Sequence, residues 1–171
     1  MRNLAWLLLA FACLAHADRI GLGTPPDAAL LRAWDIDVSP DGAGLPAGSG
    51  SVADGRRVYA ARCAACHGTE GQGNPMDRLA GGRGSLASAQ PVRTVGSFWP
   101  YATTLFDYVR RAMPFDSPQS LTPDEVYAVS AFVLFLNGIV DENAVMDAAT
   151  LPAVSMPNRN GFVDDPRPDV R

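Results

Sequence analysis

The stretch Cys63-Ala64-Ala65-Cys66-His67 decides how the rest of the chain is read. It is a C-x-x-C-H pentapeptide, the attachment signal of a c-type haem. Chemistry explains the spacing. Two thiols three positions apart at a helix end reach the two vinyl groups of one porphyrin and form thioethers. The next residue, His67, then lies under the iron and supplies the proximal imidazole. Other readings have less behind them. A thioredoxin-like C-x-x-C belongs in a βαβ pattern, and none surrounds this one. A structural zinc site needs four ligands. The chain has three Cys and two His, and Cys13 and His16 fall in an N-terminal leader, so a zinc site within one chain would have to recruit carboxylates. A redox-active thiol pair is the remaining alternative.

Working outward from the motif, Ser51 to Arg62 is expected as a first helix, with Val52, Val58 and Tyr59 apolar. Gly55 lies inside it at a propensity cost of about 1 kcal/mol, which makes sense if another helix crosses closely there. Gly68, Gly71 and Gly73 follow the motif and allow tight turns beside a porphyrin. Residues 74–100 are loop-like. A second helix runs over Ala102–Ala112, with Leu105, Phe106, Val109 and Ala112 at helical spacing. Thr122-Pro123-Asp124-Glu125 is a capping box with Pro at the first helical position. The third helix it opens carries Val126, Val129, Phe132, Val133 and Leu136, and it stops at Asn137-Gly138.

The flanks differ in character. Residues 1–17 read as a secretory signal: Arg2, an apolar run Leu4–Leu14, and Ala15-His16-Ala17 as the cleavage site. The run is too short to span a bilayer as a mature helix, with an uncleaved anchor and a lipoprotein at Cys13 as alternatives. Export to the periplasm agrees with the motif, because bacterial haem attachment takes place outside the cytoplasmic membrane. Residues 18–50 form an N-terminal arm rich in Gly, Pro and Asp. Thr24-Pro25-Pro26-Asp27 is placed to cap a short helix through Trp34, and turns and coil follow. Leu30, Leu31, Trp34, Ile36 and Val38 are too apolar for a purely solvated tail, so the arm is expected to pack on the haem domain or on a partner. The domain itself covers 51–140, and 141–171 is an irregular C-terminal arm. The net charge of −4, with no lysine among the 14 cationic residues, argues against a nucleic-acid partner.

With His16 in the leader and no Lys present, the sixth iron position falls to a methionine or stays open. Met76 is nine residues from His67, too few to cross to the far face of a porphyrin, and Met146 and Met156 lie beyond the third helix. Met113 sits at the end of the second helix, and Pro114 prevents the helix from continuing past it. Met113 is therefore the expected distal ligand, against the plainer reading of any Met as core filler. Met/His ligation suits electron transfer and opposes O₂ chemistry. Haem propionates need donors when partly buried. Trp99 is the favoured one, near Tyr101, Arg83 and Arg93, and the alternative is that these aromatics only fill the core.

The pattern Gly55-x-x-x-Tyr59, Cys63-x-x-Cys66-His67-Gly68, Leu79-Ala80-Gly81, Met113-Pro114, Glu125 and Phe132 resembles that of class I cytochromes c. The resemblance implies an all-α fold of helices around one covalent haem, in which the Gly and aromatic of the first helix cross the last helix at Phe132. Members often carry Pro two residues before the Leu-Ala-Gly element, and its carbonyl accepts the proximal imidazole N–H. Here that position is Asp77, and the pattern leaves the partner of the His67 ring open.

A second resemblance spans nearly the whole mature chain. Ala33-Trp34-Asp35-Ile36-Asp37-Val38, Gly44-Leu45-Pro46-Ala47-Gly48-Ser49-Gly50, the run Thr94 to Tyr108 and Arg110-Arg111-Ala112-Met113-Pro114-Phe115 resemble the SoxD-type cytochrome subunit of the Sox sulfane (sulfite-type) dehydrogenase. It implies an electron-transfer subunit, not catalytic alone, that takes electrons from a molybdenum-cofactor subunit acting on sulfur compounds and passes them to a downstream cytochrome. A freestanding periplasmic carrier between respiratory complexes is the alternative.

Overall fold

The computed structural model describes residues 22–167, and the leader expected at 1–17, with Cys13 and His16, lies outside them. The chain divides into two compact units, Met1–Trp34 and Asp35–Arg171. In the first, helix α1 (Ala28–Trp34) begins at Asp27, whose carboxylate accepts the Leu30 N–H at 2.7 Å. The second unit carries β1 (Ser49–Ser51), α2 (Val52–Arg62), α3 (Ala64–His67), α4 (Ala102–Ala112), α5 (Pro123–Leu136) and β2 (Val145–Asp147). No helix among the described residues is long and apolar enough to cross a membrane.

Local signals set the helix ends. The Ser51 hydroxyl accepts the Asp54 N–H at 3.1 Å and caps α2. At α5 the capping box is complete: Thr122 Oγ1 accepts the Glu125 N–H at 3.3 Å, and the Glu125 carboxylate accepts the Thr122 N–H at 2.8 Å. Its last carbonyls are closed by Gly138 N–H to Phe135 O (2.8 Å) and Ile139 N–H to Leu134 O (3.0 Å).

Helix α5 is the axis of the second unit. Every residue from Val126 to Leu134 is buried. A helix that is apolar nearly all round belongs in an interior, and here other elements cover it on several sides. Helix α2 crosses it at Gly55, where an added Cβ would come within 1.9 Å of the Ala128 carbonyl oxygen. One turn on, the Tyr59 and Phe132 rings pack at 5.2 Å. Helix α4 packs through Phe106 on Tyr127 at 4.5 Å.

The flanking segments are irregular for most of their length, and they still contribute to the fold. Gly48-Ser49-Gly50 reads as coil in the sequence, yet Ser49–Ser51 pairs antiparallel with Val145–Asp147 in register Gly50 to Met146. Leu151 and Met156 are buried in the core, as is Val38 from the other flank. The contacts that create these features are long-range, so the local composition does not announce them.

Candidate functional site

The C-x-x-C-H segment forms one helical turn that opens where α2 ends. The Cys63 N–H donates to Tyr59 O at 2.9 Å and closes α2. The Cys63 carbonyl then accepts from Cys66 N–H at 3.1 Å and His67 N–H at 3.0 Å, which starts α3. Residues three and four apart on a helix share a face. Cys63, Cys66 and His67 therefore leave one side of this turn together. Cys63 is half-buried, Cys66 is exposed, and both are free thiols. Burial pushes the Cys63 thiol up to about 11, so it is neutral at physiological pH when no haem is attached.

The loop that follows folds back onto this turn. Gly73, with φ of 84°, donates its N–H to His67 O at 2.8 Å, a backbone geometry that favours glycine. Met76 N–H reaches Cys66 O at 2.9 Å. His67 Nδ1 lies 2.7 Å from the Asp77 carbonyl oxygen. A carbonyl only accepts, so Nδ1 carries the proton and Nε2 keeps its lone pair for a metal. The question left open by Asp77 in place of Pro is answered by the main chain. Asn137 anchors the far end of the loop: its side chain donates to Leu79 O at 3.1 Å and accepts the Gly81 N–H at 3.1 Å. In the sequence Asn137 reads only as a helix stop, and nothing local marks its bridging role.

The four methionines separate by location. Met146 and Met156 are buried in the hydrophobic core. Met76 is exposed, in the loop tied to Cys66 and His67. Met113 is the half-buried C-cap of α4, where its N–H donates to Val109 O at 3.1 Å and its backbone turns extended.

Trp99 is partly buried, packs against the core, and meets the Tyr108 ring edge-on at 5.9 Å. None of the hydrogen bonds among the described residues uses its indole N–H. The C-terminal segment holds this loop: Asn158 Nδ2 donates to Phe98 O at 2.7 Å, and the Arg159 guanidinium stacks 4.3 Å over the Tyr101 ring. Arg93 stacks on Phe98 at 5.4 Å, which gives it a role within the loop itself. Phe162 meets Phe98 edge-on at 5.2 Å.

The donor set fits a covalently held haem: two unpaired thiols and one imidazole on one turn, the imidazole turned by its Nδ1 bond so that Nε2 is available. No cluster of three or more His, Cys, Asp or Glu suited to a bare metal ion occurs among the described residues.

The family model described as cytochrome C oxidase, cbb3-type, subunit III matches residues 50–133. No curated protein matches the chain. Among solved structures, a chain in the crystal structure of the sulfane dehydrogenase SoxCD from Paracoccus pantotrophus is similar, with a TM-score of 0.82 and 45% identity over 87% of this chain and 74% of that one. A cytochrome c domain implies covalently bound haem c and an electron-transfer role. With helices, C-x-x-C-H turn and relatives in agreement, the chain belongs to the class I cytochromes c, in the family of SoxD-type cytochrome subunits.

Proposed function

We propose that this chain is a periplasmic monohaem cytochrome, the electron-transfer subunit of a molybdenum-dependent sulfane or sulfite dehydrogenase in sulfur oxidation. The likeness to a SoxCD chain at 45% identity, over most of both chains, carries the proposal. Residues 1–17 are the export signal, 51–140 the haem-bearing domain, and the segments on either side its arms. Cys63 and Cys66 hold one haem through thioethers, which fixes it against loss during redox cycling. His67 binds the iron through Nε2, and the Asp77 carbonyl keeps the ring in that orientation. Met113 is the distal ligand. Its place at a helix end, with Met146 and Met156 committed to the core and Met76 exposed in a loop whose main chain is tied to Cys66 beside His67, supports that choice over the others. Trp99 offers its free indole N–H to a propionate.

A bound haem would supply one-electron redox chemistry. His67 and Met113 would be the two ligands from the chain, and the packed elements around them would leave little to rearrange on electron transfer. Beyond the haem-binding residues, no Cys or His follows the leader. The oxidation belongs to a partner with a molybdenum cofactor, and a downstream cytochrome receives the electrons.

The test is reduction of the purified ferric protein. It should be reduced by sulfite or a sulfane substrate only when a molybdenum-cofactor dehydrogenase subunit from the same organism is present, and the two should co-purify from the periplasm. Turnover of either substrate by the cytochrome alone would refute the subunit reading. Equal reduction by unrelated respiratory donors, with no co-purifying dehydrogenase, would favour a freestanding carrier.

A further inference from the structure

Residues 36–46 lie along one side of α4, held there by side chains of that helix and by Tyr127. Thr103 Oγ1 donates to Pro40 O at 3.1 Å. Asp107 Oδ1 accepts the Val38 N–H at 2.9 Å. Arg110 Nη1 donates to Ile36 O at 3.0 Å and reaches Gly44 O at 3.5 Å. From α5, the Tyr127 hydroxyl donates to Pro46 O at 2.9 Å. Thr103, Asp107 and Arg110 are spaced i, i+4, i+7, one stripe of the helix. The segment closes on itself through Ser39 N–H to Ala43 O (2.9 Å) and presses Val38 into the core. Asp107 is 8% exposed, and its carboxylate is also gripped by Arg111 through Nε at 2.9 Å and Nη2 at 2.5 Å. A carboxylate buried to that degree has to stay fully bonded.

The same helix ends at Met113. Arg110 stands three residues before it, and the Met113 N–H bonds to Val109 O in the last turn. An eleven-residue helix does not hold its own register in water, so what packs on it decides where its last turn lies. We propose that residues 36–46 act as a strap that locks α4 and so keeps the Met113 thioether on the iron. Asp107 and Arg110 are the positioning residues of this device. The inference rests on the reading of Met113 as distal ligand.

The experiment uses the full-length ferric holoprotein and imidazole, a small ligand that competes with Met113. Asp107→Ala leaves Val38 N–H and Arg111 without their acceptor and is expected to tighten imidazole binding about tenfold. The weak far-red Met–iron charge-transfer band should fade in parallel. Arg110→Ala is milder, removes the bond to Ile36 O, and should act in the same direction, so it carries the test if Asp107→Ala does not fold. Val52→Ala, a fully buried truncation on α2, controls for lost stability and should leave imidazole binding as in the parent. The inference is overturned if the folded strap variants lose thermal stability as Val52→Ala does but bind imidazole no more tightly. Met113→Ala separates the two readings. Loss of the far-red band in that variant leaves the strap to be judged on Asp107 and Arg110 alone, and persistence of the band removes both.

Discussion

His67 is oriented by the main-chain carbonyl of Asp77, so the side chain at that position has no part in holding the ring. The acceptor is one that every residue owns. Asp77→Ala is expected to leave the absorption spectrum and reduction potential unchanged, and a large shift would show that the carboxylate takes part. The thioether reading is checked by chemistry: a pyridine haemochrome spectrum of c type, with haem retained through acid-acetone extraction. Trp99→Phe keeps the packing on Tyr108 and removes the N–H. It should shift the reduction potential, and an unchanged potential would leave Trp99 as core only. Tyr59 supplies a pH dependence. Burial above all raises its phenol from 10.0 to about 12. The folded state thus holds that proton when the unfolded chain has begun to release it. The contribution is complete below about pH 10 and is lost as pH rises toward about 12. Denaturant unfolding across that range should show the decline, and Tyr59→Phe should flatten it.

At the scale of elements, the α2–α5 crossing is the least forgiving contact. At Gly55 the obstacle to a side chain is the Ala128 backbone at 1.9 Å, with Phe132 Cβ at 2.8 Å, and backbone inside a buried helix cannot swing aside. Gly55→Ala therefore has to separate the helices, despite its better helix propensity. It is expected to cost more than about 3 kcal/mol, read from denaturant unfolding or from failure to accumulate holoprotein. The cap of α5 is a gentler test. Thr122→Ala removes one half of the capping box and should cost about 1 kcal/mol with the haem spectrum intact.

For the whole molecule, the boundary between the two compact units makes a truncation prediction. Removing residues 18–34, with the leader kept, leaves the strap and core of the second unit whole, so the spectrum and thermal midpoint should stay as in the full chain. Extending the deletion through Gly48 takes away Val38 and the carbonyls bonded by Thr103, Arg110 and Tyr127, and thermal stability should fall with it. If residues before Asp35 help to dock the molybdenum subunit, the shorter truncation will be reduced more slowly by that subunit at limiting concentration. Equal rates would assign docking to the second unit.

What the sequence by itself determined is local. The spans of α2, α4 and α5 follow from Ser51, from the Thr122-Pro123-Glu125 cap, from Asn137-Gly138 and from apolar spacing, since caps and periodicity act within a turn or two of the residues that carry them. The C-x-x-C-H turn is legible for the same reason, and Gly55 hints at a crossing because a helix tolerates glycine poorly without cause. The tertiary structure alone decided which methionines enter the core, what holds the His67 ring, that β1 and β2 pair, and that α5 is covered nearly all round. It also decided that 36–46 is bound to α4. These contacts join residues far apart in the chain, and many of them use backbone N–H and C=O groups. Every residue but proline offers both, so no residue type marks the places where they meet.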